Sequence, residues 1–351
     1  MGTEDFLEKK RPLIEAMLEK VVPRRVTHDY LEWLAGKPSY AYDLEAVQRG
    51  VSDAVWDFLD RGGKRWRPAL FLLMAEAFGK AEKMKEFAAV IELVHNGTIM
   101  VDDVEDDAET RRGKPALHKT HGTDIAVNTG NMLYFLPLLL FRGRKDLDER
   151  TLVRVYEAYI DEMVKLSLGQ DMDIWWHKGS SFPNEKQYLQ MCAFKTGTLA
   201  RFSGRLAVIL CGGTPEQESK VGRMLETVGI AFQIQDDILD LTAADRSAFG
   251  KSFGNDITEG KRTLAVIHAL SQLPAKDKAR LASILGAHTK DAKALEEAIE
   301  LIKKSDSIAY AKSFARKLAS EAWDECKDAV PESDAKGVLS SFVRYLVERS
   351  L

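Results

Sequence analysis

Two stretches of the chain space three aspartates as D-D-x-x-D: Asp102, Asp103 and Asp106 in MVDDVEDD, and Asp236, Asp237 and Asp240 in IQDDILDL. On a helix, residues three or four apart share a face, so each set projects its first and last carboxylates together with the second alongside. Carboxylates held that close repel one another, and the C-terminal part of a helix disfavours anions further through its dipole. The arrangement is costly unless a cation is bound. Mg²⁺ suits it, because it takes hard oxygen ligands and completes its shell with water and substrate phosphates. A lone acid run is ordinarily a solvated helix face. Two copies, each emerging from an apolar stretch (AAVIELVHNGTIMV and VGIAFQIQ), point instead to the mouth of a cavity.

Basic residues stand close by. Arg111-Arg112-Gly113-Lys114 follows the first set, and Gly250-Lys251-Ser252 and Gly260-Lys261-Arg262 follow the second. Upstream lies GGKRWRP with Lys64 and Arg67, and Lys195-Thr196-Gly197 sits between the sets. Carboxylates that hold metal, with Lys and Arg to grip phosphate oxygens, describe a site for diphosphate esters, and two basic groups suggest two diphosphates.

Long helices must hold these groups. Apolar residues recur at three-and-four spacing through 83–104, 147–176, 185–211, 216–242 and 261–273, while alternating strand-like runs are nearly absent. The ten prolines cluster in connectors. The expected fold is all-α, one domain over 1–351 with roughly a dozen helices around a deep central cavity and a charged helical extension over 1–40. The balance of 50 Lys+Arg against 54 Asp+Glu gives a net charge of −4 and no basic field for nucleic acid. Three cysteines without metal-type spacing fit a reducing cytoplasm. The longest apolar run, Met132 to Phe141, is too short to span a bilayer and carries Pro137, so no transmembrane segment is expected.

In ordered motifs from about residue 55 to 265 (GGKRWRP, ELVHNGTIMVDDVEDDAETRRGKP, GQDMD, FKTGTL, GIAFQIQDDILD and GKSFGNDITEGKRT) the chain resembles the trans-isoprenyl diphosphate synthases, or polyprenyl synthetases. The resemblance implies a fold of long helices, usually a homodimer, joining isopentenyl diphosphate 1′-4 to an allylic diphosphate such as dimethylallyl, geranyl or farnesyl diphosphate. It also implies roles. Asp102, Asp103, Asp106, Asp236, Asp237 and Asp240 would hold a Mg²⁺ cluster, typically of three ions, on the allylic diphosphate. Arg111, Lys195 and Lys251 would grip that diphosphate, with Lys261 nearby. Lys64, Arg67, His95 and Arg112 resemble the isopentenyl diphosphate pocket, which Arg349 could approach, and Gln233 and Thr196 match positions at the reacting centre. Cationic groups would stabilise the departing diphosphate, and a dry cavity would protect the allylic cation from water.

The segments Asn128 to Phe135 and GQDMDIWW look most like geranylgeranyl diphosphate synthases of eukaryotic type. In the family an aromatic residue five positions before the first motif stops growth at C15, and here that position is Gly97, followed by Thr98. One helical turn is about 5 Å, close to one isoprene unit, so chains beyond C15 are expected, with a floor at Met132, Tyr134 or Phe135 and C20 as the best single product. Other product lengths, a class I terpene cyclase and an inactive regulatory subunit are the competing readings. The intact second motif argues against both of the last two. The sequon at Asn96 lies within an apolar helix, and the pair His118 and His121 has no Cys or convincing carboxylate partner for zinc.

Overall fold

The computed structural model describes residues 2–179, 181–242 and 254–348. It is 79% helical with almost no strand. Nineteen α-helical segments occur among the described residues, and eleven of them run twelve residues or more. The chain divides into two compact units, Met1–Val153 and Arg154–Leu351.

The first unit is built on an apolar helix. Trp66–Ala77 (α2) and Ala88–Glu105 (α3) follow Thr3–Val21 (α1), and Thr123–Phe135 (α4) comes after them. α3 packs against α1, α2 and α4. From Ala88 to Val94 every side chain of α3 is buried, which is what a helix apolar on all sides requires. Each fully buried Ile, Leu or Val there contributes roughly 1.5–3 kcal/mol. The expected N-terminal extension is part of this core, since Phe6, Ile14 and Leu18 are fully buried and α1 packs on α2 and α3. α4 continues as a 3₁₀ turn, Leu136–Phe141, so that Thr123–Phe141 forms one apolar helical stretch of 19 residues, long enough by length and composition to cross a membrane and 39% buried in the protein.

Where α3 ends, Asp106 caps it with a bond from its N–H to the Asp102 carbonyl (2.9 Å). The following Arg111-Arg112-Gly113-Lys114 forms a two-strand hairpin, Thr110–Arg111 (β1) against Lys114–Pro115 (β2). Arg112 and Gly113 both take positive φ, +53° and +75°, the backbone of a type I′ turn, which twists in the sense of the strands it joins.

The second unit centres on Pro215–Thr242 (α8), which packs against Thr198–Leu210 (α7) and Ser307–Cys326 (α10). Glu149–Lys178 (α5), whose first turn belongs to the first unit, Glu185–Cys192 (α6) and Leu264–Gln272 (α9) complete the elements that bear on the site. A buried charge lattice joins three of them. Arg201 of α7 donates from Nε to both oxygens of Glu162 on α5 (2.9 and 2.8 Å) and pairs with Glu226 on α8, while Arg205 bonds Glu162 (2.7 Å) and Glu218 (3.0 Å).

The stretch 185–211, which reads as one helix in the sequence, is three pieces. α6 begins with a capping box between Asn184 and Gln187, passes into a π-helical turn at Ala193–Gly197, and continues as α7. The π turn contains Lys195 and Thr196. Insertions of this kind are rare and frequent at functional sites. Gly169 of α5 lies against this turn: a Cβ there would fall 2.7 Å from the Phe194 carbonyl carbon and closer still to the Lys195 nitrogen, so only glycine permits the approach.

Candidate active site

In the first unit the cationic residues converge beside α3. Arg67 Nη1 lies 3.2 Å from His95 Nε2, and Arg112 Nη2 donates to Asn96 Oδ1 at 3.3 Å while its guanidinium lies over the Phe58 ring. Burial, reinforced by Arg67 and Arg112, holds His95 well below its ordinary pKa. The ring is therefore neutral and its Nε2 accepts from Arg67. Burial, helped by repulsion from Arg65 and Arg111 and opposed by attraction to Glu92 and Asp103, brings Arg112 down to about 10. Lys64 is exposed on the loop before α2.

Arg112 is held, through Asn96, by a pair absent from the sequence reading. Arg65 is buried on Glu92 (2.8 Å), and Asn96 donates to the same carboxylate (2.8 Å), so a neutralised acid in α3 supports the cationic cluster. Asn96 is fully buried, which disposes of its sequon. His121 bonds Asp57 (3.0 Å), a carboxylate partner 64 positions away in the chain.

The first aspartate set does not act as a uniform trio. Asp103 is fully buried, and Arg111 donates from Nε to its two oxygens (2.8 and 3.1 Å) and from Nη2 to Oδ1. Arg111 Nη2 lies 3.8 Å from Asp102. Asp102 and Asp106 are half-buried, one turn apart. The expectation that Asp103 ligates metal meets a physical obstacle, since its carboxylate is taken by Arg111. Arg111, expected on a diphosphate, here holds a carboxylate.

In the second unit, Lys195 on the π turn bonds Asp173 of α5 at 2.6 Å. Burial pushes Asp173 up, but Lys195 and Lys261 outweigh it and hold the carboxyl below the usual range. Lys261 pairs with Glu259 (2.6 Å) and lies 3.7 Å from Asp256. Thr196 Oγ1 donates to Gln233 Oε1 (2.7 Å), Gln233 Nε2 to Asp237 Oδ1 (2.7 Å), and the hydroxyl of Tyr188 on α6 to Asp237 Oδ2 (2.7 Å). Burial and the neighbouring Asp256 push Asp237 well up, against the hydrogen bonds from Tyr188 and Gln233. Asp240 accepts from the Asp256 backbone N–H (3.1 Å) and is buried, whereas Asp236 is half-buried. Asp237 and Asp240, like Asp103, are thus bonded within the protein. Lys251 and Arg349 lie outside the described residues.

Among the described residues no three His, Cys, Asp or Glu side chains converge to hold a metal by themselves. Sparse hard-oxygen donors on partly exposed helix faces fit an ion that takes the rest of its shell from water and substrate phosphate. Asp173, Tyr188 and Glu92 were missed as site residues. The motif GQDMD contains Asp173, and its position four residues after Gly169 was the available signal. The groove between α10 and the helix Asp334–Glu348, about 430 Å³ and lined by Arg316, Trp323 and Arg344, contains none of the expected residues.

The chain-length candidates separate. Gly97 is buried against α4, where a Cβ would fall 2.7 Å from the Gly130 carbonyl oxygen, 2.9 Å from Leu133 Cβ and 3.3 Å from Tyr134 Cε1. Thr98 donates to the His95 carbonyl (2.8 Å). Met132 is half-buried, and Phe135 is 69% exposed, pointing away from the core of its unit. Tyr134 is half-buried and its hydroxyl is pushed up by burial, with Glu105 and Asp102 adding to the effect.

The whole chain superposes on solved structures of isoprenoid synthases. One is a geranylgeranyl pyrophosphate synthetase from Pyrococcus horikoshii Ot3, with TM-score 0.82 and 30% identity over 99% of this chain and 98% of that one. The class is therefore the all-α isoprenoid synthase fold. By sequence the chain belongs to the polyprenyl synthetase family, which it matches over residues 48–302. A short chain isoprenyl diphosphate synthase from Methanothermobacter thermautotrophicus is 33% identical over 316 residues, 87% of this chain and 94% of the relative. A polyprenyl synthase from Caulobacter crescentus CB15, solved with calcium and isoprenyl diphosphate, shares the fold at TM-score 0.79 and 21% identity, covering 99% of this chain and 98% of that one. The family comprises prenyltransferases that use isopentenyl and allylic diphosphates and generally depend on a divalent metal.

Proposed function

We propose that the protein is a Mg²⁺-dependent geranylgeranyl diphosphate synthase that extends allylic diphosphates to C20. The observation that supports this most directly is the end of α3, where Asp102 and Asp106 emerge from a buried apolar helix beside the Arg67, His95 and Arg112 cluster. Carboxylates for metal and cations for phosphate meet there, and no side chain in the cluster is poised as a nucleophile.

Asp102, Asp106 and Asp236 would hold the ions, three by resemblance to the family, and Asp103, Asp237 and Asp240 would position their neighbours. Bound Mg²⁺ would neutralise charge on the departing diphosphate. Lys195, released from Asp173, and Lys261 would grip the allylic diphosphate. Lys64, Arg67 and Arg112 would hold isopentenyl diphosphate, and neutral His95 would keep Arg67 oriented. In the reaction the allylic C1–O bond breaks and the isopentenyl double bond forms the new C–C bond. A C2 proton then leaves to the released diphosphate, so the protein supplies no base.

For product length, Tyr134 is the candidate floor: it lies over Gly97, one turn and more below Asp102. Phe135 faces outward instead. A homodimer is supported by an unpartnered apolar stripe on α5, where Ile160, Val164, Leu168 and Trp175 share a face and are each half or more exposed. Three free, buried cysteines fit a cytoplasmic setting.

The test is incubation of the purified protein with Mg²⁺, farnesyl diphosphate and radiolabelled isopentenyl diphosphate, followed by phosphatase. Label in geranylgeraniol is expected. Farnesol alone would refute the length assignment, and a hydrocarbon formed without isopentenyl diphosphate would indicate cyclisation. Asp236→Asn is expected to lower turnover by about two to three orders of magnitude with the fold intact.

A further inference from the structure

We propose that Tyr188 and Asp237 are positioning residues whose task is to fix which end of the Gln233 amide faces Thr196. The inference rests on the reading that Thr196 and Gln233 line the reacting centre.

Every donor in this row is assigned by the groups at its ends. Asp237 Oδ2 accepts from the Tyr188 hydroxyl and Oδ1 accepts from the Gln233 amide nitrogen, both at 2.7 Å. Both Asp237 oxygens are acceptors in these bonds, so it is the NH₂ end of Gln233 that turns toward the carboxyl group. The carbonyl end therefore faces the opposite way and accepts the Thr196 hydroxyl proton at 2.7 Å. With its proton committed, Thr196 presents oxygen lone pairs to whatever adjoins it.

That polarity matters chemically. Lone pairs and an oriented carbonyl dipole favour positive charge, whereas a hydroxyl with a free proton would donate to an anion. If the amide turned over, its N–H would bond Thr196 Oγ1 and release the hydroxyl proton, reversing the dipole at the site. Tyr188 is 1% exposed and Asp237 6%, so water does not readily replace either partner. The carboxylate has a structural duty on both oxygens, which also explains why the second aspartate of the motif is set apart from Asp236.

The test compares Tyr188→Phe, which removes one hydroxyl, with Asp237→Asn and Asp236→Asn. Calorimetry with inorganic diphosphate and Mg²⁺ measures metal-dependent anion binding apart from turnover. For Tyr188→Phe and Asp237→Asn we expect kcat to fall about tenfold or more, KM for both diphosphates to stay within about twofold, and diphosphate affinity to stay within about twofold. Asp236→Asn is expected to weaken Mg²⁺-dependent diphosphate binding about tenfold or more. The double variant Tyr188→Phe/Asp237→Asn should be no slower than Asp237→Asn, because the two act through one amide. Wild-type kcat in Tyr188→Phe overturns the proposal, as does loss of diphosphate binding in Asp237→Asn parallel to that in Asp236→Asn. Should Asp237→Asn fail to fold, the isosteric Tyr188→Phe decides alone. An inactive wild type that still binds diphosphate would refute the prenyltransferase reading instead.

Discussion

Replacing Gly97 by alanine distinguishes two accounts of why glycine stands five residues before the first aspartate. If Gly97 faced open space, alanine would be favourable, since glycine within a helix is worse than alanine by roughly 0.5–1 kcal/mol. The structure predicts the opposite sign. An alanine Cβ would sit 2.7 Å from the Gly130 carbonyl oxygen and 2.9 Å from Leu133 Cβ, closer than real Cβ atoms approach, and the first of these is backbone that cannot rotate away. α3 and α4 must then separate, an overpacking that typically costs about 1–3 kcal/mol. Subtracting the gain in helix propensity leaves a net loss of about 1 kcal/mol, or a melting temperature lower by about 1–2 °C. Gly130→Ala meets Val101 Cγ2 at 2.7 Å, a side-chain end that can turn, and the Gly97 carbonyl at 3.1 Å, so its loss should be smaller. Once one substitution has parted the helices, the second should cost less, making the double variant less than additive. Calorimetric melting of the three variants checks the sign, and chromatography of dephosphorylated products checks whether moving α4 alters chain length. A Gly97→Ala variant that melts at or above the wild-type temperature would refute the packing account.

Tyr134→Ala should move products beyond C20, because removing the ring opens about one helical turn, close to one isoprene unit, and unchanged C20 in product chromatography would exclude Tyr134 as the floor. Glu162→Gln leaves Arg201 and Arg205 short of a buried partner and should destabilise the protein by about 3 kcal/mol in urea unfolding. His95 gives a pH signature. Its folded pKa lies below the unfolded value near 6.5, so below pH 6.5 the unfolded chain binds the extra proton and stability falls as pH drops toward the folded value. The slope attributable to this one group is at most about 1.4 kcal/mol per pH unit, and unfolding measured on wild type and His95→Gln should differ in that window and converge above pH 7.

The long elements were legible because their apolar periodicity is sustained. The stretch 216–242 is helix over Pro215–Thr242, and 147–176 is helix over Glu149–Lys178. The π turn at Ala193–Gly197 was not legible, because a single five-residue turn is too short to stand out against the apolar pattern on either side. The aspartates and the cations near them were found because charge in an apolar helix is conspicuous. Their supports were not, since each depends on a partner far away in the chain. Tyr188 is 49 positions from Asp237, Asp173 is 22 from Lys195, and Arg65 is 27 from Glu92. In each case a buried polar group is satisfied by packing that local spacing does not encode.

The aspartate spacing itself takes a sharper meaning. Residues i and i+4 on a helix lie about 40° apart, but i+1 is turned about 100° from i, so D-D-x-x-D addresses two faces and not one. Both copies use the second face the same way. Asp103 is clasped by Arg111, and Asp237 by Tyr188 and Gln233, in separate units with unrelated surroundings. Securing the middle carboxylate lowers the repulsion within each set before any metal arrives, which answers how a protein with no cation bound tolerates so many adjacent acids. It also makes the anchor a safeguard. With Asp103→Asn, Arg111 would lose its strongest partner while Asp102 lies 3.8 Å from its Nη2, and the guanidinium would shift onto a carboxylate proposed to hold metal. On the proposed function, the middle aspartate would then act on metal affinity through the cation it restrains and not through a bond to the metal.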